Sequence, residues 1–273
     1  SKDRERSLEE VVGCRELLSI VYVQYEDFYP LSETVIRGLH HTLLDFYPNG
    51  KRYAGQYKTS PNQVLSINHD TKEQRVVLNP TPPGPQTDSA MQELVDWYNS
   101  VIRSNPWPLL VATEFVFRFL AIHPFQDGNG RLSRLLASLL LLKNGYSWIQ
   151  YVSFEHEIEN RKSEYYKVLL DAQKNRPGEN VTKWLNFFTS CLNNIQSNLL
   201  LKLEESKKAS ETLTPREQRI NFFIQNHAGC RTGDISSKLD IPLPTVKKTI
   251  VELLNKKVIT KEGVGRATGY YSI

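Results

Sequence analysis

His123-Pro124-Phe125-Gln126-Asp127-Gly128-Asn129-Gly130-Arg131-Leu132-Ser133-Arg134 is the stretch whose reading decides the fold. It separates two apolar segments, Phe115 to Ile122 and Leu135 to Leu142. A short polar loop between two such segments predicts a turn joining two core helices. Gly128 and Gly130 permit backbone angles denied to other residues, so successive N–H groups can converge on one anion. A helix opening near Asn129 or Gly130 adds its positive end and its unpaired donors. Arg131 and Arg134, three apart, share a helix face and suit a fork-like grip on phosphate oxygens. Asp127 is a hard oxygen ligand suited to Mg²⁺ shared with substrate phosphates. His123 is the nearby group able to take a proton near neutral pH.

A Walker-type phosphate loop requires Gly-x-x-x-x-Gly-Lys-Ser/Thr, which the stretch lacks. It resembles instead the Fic signature, His-x-Phe-x-Asp/Glu-Gly-Asn-Gly-Arg-x-x-Arg. His123, Phe125, Asp127, Gly128, Asn129, Gly130, Arg131 and Arg134 fill its eight fixed positions. The resemblance spans roughly residues 7–200. It implies a mainly α fold, a Fic-type helical bundle with a β-hairpin flap near residues 55–78. It also implies transfer of AMP from ATP to a Ser, Thr or Tyr hydroxyl of a protein.

Under that resemblance His123 is the general base and Asp127 holds Mg²⁺. Gly128, Asn129 and Gly130 steady the transferred phosphate, Arg131 grips the β-phosphate and Arg134 pairs with the γ-phosphate. Phe125 is a core anchor that sets the angle of His123. Tyr165 and Tyr166 resemble a pair that packs near the adenine in Fic proteins. They are adjacent on a helix and so about 100° apart, which lets at most one face a nucleotide. A relative that phosphorylates its target departs from the glycine-rich form, and Gly130-Arg131 favours nucleotidyl transfer. Many family members block the second arginine with a glutamate from an inhibitory helix of pattern Ser/Thr-x-x-x-Glu-Gly/Asn. No segment here matches that pattern fully, so the expectation is that such a helix lies outside the chain or comes from a partner, leaving Arg134 free.

Around the signature the chain reads as helices. A stripe of near-3.6 period predicts one over residues 7–26, and Ser32 caps another that reaches residue 46. His40 and His41 on the second are expected as one satisfied core imidazole and one surface imidazole. Residues 63–67 and 75–78 alternate around Asn68-His69-Asp70 and predict the hairpin. In Fic proteins that hairpin offers an edge to which a target segment adds as a strand. The run Asn79-Pro80-Thr81-Pro82-Pro83-Gly84-Pro85 reads as a rigid connection. Further helices are expected from about Asp88 to Pro106, over 109–120, 131–142, 153–173 and 181–203.

The composition is that of a globular chain of 273 residues, 40% hydrophobic and 23% charged, with net charge +4. From Thr212 onward ten Lys/Arg face five Asp/Glu, so the basic balance belongs to the C-terminal part. That part opens with Thr214-Pro215-Arg216-Glu217, an N-cap signature. Helices follow to Asn226, over 232–239 and over 244–254, and then a hairpin near 258–273. The pattern resembles a winged helix-turn-helix domain, with Lys247 and Lys248 the candidate DNA contacts. The expected division is a Fic domain over 1–205 and the smaller domain over 206–273.

Cys14, Cys191 and Cys230 lack metal-ligand spacing and suit a reducing, cytoplasmic setting. No apolar run reaches membrane-spanning length, so no membrane partner is expected. The partners considered are a target protein on the flap, the chain itself as acceptor, DNA, and a second copy as homodimer. Two other functions compete with transfer: a DNA-binding regulator that senses nucleotide, and removal of AMP from modified proteins.

Overall fold

The computed structural model describes residues 2–45, 47, 50–62, 64–67, 74–78, 80–174, 178–211, 213–265 and 268–273. They divide into two compact units, Ser1–Gln196 and Ser197–Ile273.

In the first unit α1 spans Lys2–Gln24, α2 Glu33–Asp45 and α3 Pro85–Val101. Ser32 caps α2 by accepting from the Val35 N–H at 3.2 Å. Between α2 and α3, β1 (Val64–Ile67) and β2 (Gln74–Leu78) pair antiparallel, Leu65 opposite Val76 and Ile67 opposite Gln74. The expected turn at Asn68-His69-Asp70 lies outside the described residues, as does Asn79. The proline-rich connection ends where Thr87 Oγ1 donates to the Pro82 carbonyl at 2.7 Å and Pro85 opens α3.

The middle of the unit is the pair α4 (Pro108–Ile122) and α5 (Asn129–Lys143). α4 is apolar almost all round, and α5 is buried along most of its length apart from the side that carries Arg131 and Arg134, so the other helices must cover the pair. Phe115 and Phe119 on α4 and Leu132, Leu136 and Leu139 on α5 are buried. Removing each such side chain from water stabilises the fold by roughly 1.5–3 kcal/mol. The two helices that meet at the signature are therefore firmly anchored in the core, which holds the loop between them in place.

After α5 the structure departs from expectation at two points. A single helix was expected over 153–173, but the chain forms α6 (Phe154–Asn160) and α7 (Lys162–Gln173). Arg161 leaves the helical region between them (φ −113°, ψ 26°), and its guanidinium donates to Ser190 Oγ and to Glu164. The last helix of the unit, α8, runs over Thr182–Glu211, beyond the expected end near 203. Residues 204–211 are polar, but Lys, Glu and Ala favour helix, so the composition shift does not stop it. The two compact units divide at 196/197, inside α8. Trp184 on α8 donates from Nε1 to the Thr113 carbonyl of α4 at 3.0 Å.

The second unit carries α9 (Pro215–Asn226), α10 (Thr232–Leu239) and α11 (Leu243–Asn255). The antiparallel strands β3 (Ile259–Glu262) and β4 (Gly269–Ser272) complete it. The capping box at Thr214 and Glu217 is present. Ile220, Ile224, Ile235, Val246, Ile250 and Leu253 form a core separate from that of the first unit. Glu217 is buried beneath it and accepts from Lys256 Nζ at 2.7 and 2.9 Å. Among the described residues no helix is long and apolar enough to cross a membrane.

Candidate active site

The site starts where α4 must stop. Pro124 cannot continue a helix and disfavours helical angles at the residue before it. His123 takes up the left-handed conformation (φ 53°, ψ 58°) and closes the helix by donating its N–H to the Phe119 carbonyl at 2.8 Å. For a residue with a Cβ that conformation costs about 1–2 kcal/mol, so neighbouring contacts must hold it. The ring is half-buried. Its Nδ1 is buried and makes no hydrogen bond of ordinary geometry, although the Leu120 carbonyl lies near enough to favour the protonated ring. Burial first, then the Lys58 ammonium, pushes the His123 pKa from 6.5 down to about 4. The imidazole is thus neutral at physiological pH, the state a proton acceptor requires.

Phe125 is fully buried, as expected for an anchor. Asn129 holds it from behind: the Phe125 N–H donates to Asn129 Oδ1 at 2.9 Å and Asn129 Nδ2 donates to the Phe125 carbonyl at 2.6 Å. The amide is buried and committed to the loop backbone, so it braces the loop rather than offering the phosphate contact expected of it. Gly128 is the N-cap of α5 at φ 80°, and its N–H donates to Asp127 Oδ1 at 2.6 Å. The positive φ favours glycine, and a Cβ there would also crowd His40 Nε2 at 3.3 Å.

His40 is a residue whose part in the loop was not expected. It is fully buried, accepts from the Gly55 N–H at Nδ1 (3.0 Å) and so donates from Nε2 to the Asp127 carbonyl (2.9 Å). Its ring stacks on Phe125 with centroids 3.7 Å apart. Burial lowers its pKa to about 4, which keeps this tautomer neutral. The expectation of a core imidazole holds for His40, and His41 is exposed. A histidine four residues from the end of an apolar stripe carries no signal of which loop it will meet. The contact spans 87 positions of sequence.

Arg131 and Arg134 lie along one face of α5 and line a common cavity of about 110 Å³ with Cys14, Leu18, Leu135 and Glu155. Arg131 Nη2 stands 3.5 Å from Asp127 Oδ1. Arg134 is not free, contrary to expectation: Glu155, in the first turn of α6, takes its Nε and Nη2 in a two-pronged pair, the second bond at 2.6 Å. Burial works against the Arg134 charge, but the Glu155 carboxylate outweighs it and raises the pKa above the ordinary value. Ser153 Oγ caps α6 by accepting from the His156 N–H, which fixes where Glu155 projects.

Tyr165 is buried against Trp184 and Phe187, with ring centroids 5.4 and 6.1 Å away. Its place is the core of the unit, so it does not present a face to a base; Tyr166 is half-buried beside it. Asp127 is 37% exposed at its side chain. No group of three or more His, Cys, Asp or Glu that could cage a metal occurs among the described residues. One partly exposed carboxylate suits Mg²⁺, which commonly takes one or two protein carboxylates and completes its shell with water and substrate phosphates. A larger cavity, about 500 Å³, lies between α3, α4 and residues 178–181. It is lined by Glu93, Glu114 and Glu179, and its Arg118 is already paired with Glu114, so it would repel a polyphosphate.

Residues 30–141 match the model of the Fic/DOC family. Over that span the chain is similar to a Fic domain. A protein adenylyltransferase Fic of Drosophila willistoni is 46% identical over 66 residues, 24% of this chain and 13% of the relative. The chain therefore spans only a small part of the length of that curated relative. Among solved structures, a Fic family protein from Desulfovibrio desulfuricans G20 superposes with TM-score 0.56 at 19% identity, covering 99% of this chain and 87% of that one. A Fic domain containing signaling protein from Bacteroides thetaiotaomicron VPI-5482 gives TM-score 0.53 at 28% identity, covering 68% and 69%. The fold around the signature is the Fic fold, mainly helical with a small two-stranded hairpin.

Proposed function

We propose that this chain transfers AMP from ATP to a Ser, Thr or Tyr hydroxyl of a protein. The observation that carries the proposal is a neutral histidine held at the end of α4 beside a helix whose two arginines line one cavity. The acceptor hydroxyl oxygen bonds to the α-phosphorus and its proton passes to Nε2 of His123, Nδ1 being buried. The bond from the α-phosphorus to the bridging oxygen breaks, and pyrophosphate leaves. Arg131 and Arg134 hold the leaving phosphates, which fixes the α-phosphate for in-line attack. Asp127 is the residue to hold Mg²⁺, which when bound supplies charge neutralisation on the phosphates. The target docks on the flap hairpin, where a two-stranded sheet leaves an outer edge for an added strand. The chain's own hydroxyls are a second class of acceptor. Mass spectrometry after incubation with ATP and Mg²⁺ tests the proposal. Added AMP is expected with wild type and not with His123→Ala, and equal modification by both rejects it.

Glu155 favours a second reading. Removal of AMP uses a glutamate at the second signature arginine in the family, and a carboxylate does sit on Arg134 here. Loss of AMP from a pre-modified target with wild type, and none with Glu155→Gln, would favour that direction.

The C-terminal unit is proposed to act as a winged helix. Lys247 and Lys248 are both exposed on α11, where they could meet phosphates. If so, binding to duplex DNA weakens as salt rises, and Lys247→Ala with Lys248→Ala flattens that dependence by about two charges. Binding that ignores salt refutes it.

A further inference from the structure

The six residues before the flap, Tyr57-Lys58-Thr59-Ser60-Pro61-Asn62, run along the corner where His123 sits. Four consecutive carbonyls at that corner accept hydrogen bonds from this segment. Lys58 Nζ donates to the Ile122 carbonyl at 3.0 Å, and Asn62 Nδ2 to the His123 carbonyl at 3.3 Å. The Lys58 backbone N–H donates to the Pro124 carbonyl at 2.8 Å, and Asn62 Nδ2 also donates to the Phe125 carbonyl at 2.7 Å. Lys58 Nζ in turn donates to Asn62 Oδ1 at 2.9 Å, so the two side chains are locked to each other. Tyr57 and Phe125 form an isolated antiparallel bridge at the same place.

The location of the lysine needs a reason. Lys58 is 3% exposed, and lysine is almost never that buried unless its charge is answered. Two of its partners are the terminal carbonyl of α4 and the Oδ1 of Asn62, whose Nδ2 in turn grips the next turn. A cation at a helix C-terminus is favourable, and here it meets a carbonyl that the turn leaves over. The carbonyls it helps to hold flank the one residue of the signature with a positive φ other than glycine. Those bonds are what fix a strained backbone in one state rather than letting it relax toward ordinary angles.

We propose that Lys58 and Asn62 are positioning residues: together they clamp the carbonyls of residues 122–125 and so fix the histidine's backbone and the direction of its ring. The inference rests on the transfer reading for its kinetic consequence but not for its structural one. Charged groups near the ring are Lys58 and Asp127, on the flap stem and on the signature loop. Neither positioning residue is expected to touch nucleotide, so the effect should fall on turnover and spare binding.

The experiment uses the full chain with Lys58→Met, Lys58→Arg and Asn62→Ala. Displacing a reacting group by about 1 Å can cost about 100-fold. Lys58→Met and Asn62→Ala are therefore expected to lower kcat by roughly 10- to 100-fold, with KM for ATP moving less than about threefold. Lys58→Arg, which can still donate to both oxygens, should recover most of the loss. Turnover within twofold of wild type in both Lys58→Met and Asn62→Ala overturns the inference, and so does a fall in ATP affinity by the same factor as kcat. If wild type transfers no AMP, the transfer reading fails and the positioning is read separately. Histidine-ring NMR, with the His123 signal assigned by its loss in His123→Ala, should then show that signal displaced in both variants. A signal unchanged from wild type in both refutes it.

Discussion

Replacing Glu155 by alanine should raise the affinity for ATP. The Arg134 side chain is 17% exposed and Glu155 52%, so the pair is protected on the arginine side and wet on the carboxylate side. A two-pronged charge-assisted pair can be worth up to about 3 kcal/mol when enclosed, and an exposed one about 0.2–1 kcal/mol. Half exposure of the carboxylate points to about 1–2 kcal/mol between those limits. A γ-phosphate that must displace Glu155 loses that much, which corresponds to roughly 5- to 30-fold in Kd. The size of the cavity agrees: about 110 Å³ beside Arg134 is well under the roughly 300 Å³ of a typical ligand site. Isothermal titration with ATP, ADP and AMP separates this from a general charge effect. Glu155→Ala should tighten ATP by that factor and leave AMP unchanged, whereas Glu159→Gln, which removes an exposed charge paired with Lys162, should alter neither. ATP affinity unchanged in Glu155→Ala, or equal gains for ATP and AMP, would refute the reasoning.

Three other outcomes follow from the geometry. Asn129→Ala leaves the buried Phe125 N–H without Oδ1, and should cost about 2–3 kcal/mol of stability in the first unit. Urea unfolding followed by tryptophan fluorescence reads it, and a cost below 1 kcal/mol on the order expected for surface changes would contradict it. His40, with a folded pKa near 4 against 6.5 unfolded, binds its proton more readily in the unfolded chain between those values. Stability should therefore be full above pH 6.5 and fall as pH drops toward 4, by up to about 3 kcal/mol from this residue. The slope should be shallower in His40→Gln, and identical slopes would refute the assignment. Lys256→Met takes the ammonium from a Glu217 side chain that is 3% exposed and leaves it the Thr214 N–H, at a cost of about 1–3 kcal/mol. Hydrogen exchange along α9 should accelerate strongly, and unchanged protection would refute the pair's importance.

What the sequence made legible was local. Periodicity marked α2, α4, α5 and α9 to α11 because each has an apolar stripe or core and a recognisable start, such as Ser32, Pro108 or Thr214. The turn between α4 and α5 was legible because glycine and proline restrict the chain in known ways. What escaped was decided between elements. Glu155 sits in the first turn of α6, where an acid usually serves only the helix dipole, and its arginine lies 21 positions away. Asn129 carried two donors and two acceptors that could as well have met a phosphate as the backbone of Phe125. Tyr165 and Tyr166 could not be assigned from adjacency, because which of them faces the core depends on where Trp184 packs. Nothing local marks Lys58 for burial, and only folding against residues 122–125 buries it.

The central claim is that the bond broken lies at the α-phosphorus, with His123 taking the acceptor's proton. ATP radiolabelled either at the α- or at the γ-phosphate, incubated with the Glu155→Ala chain and with Glu155→Ala, His123→Ala, tests it directly. The account predicts covalent protein label from the α-labelled nucleotide alone, and only while His123 is present. Label arriving from the γ-position, or equal α-label without the histidine, would contradict it.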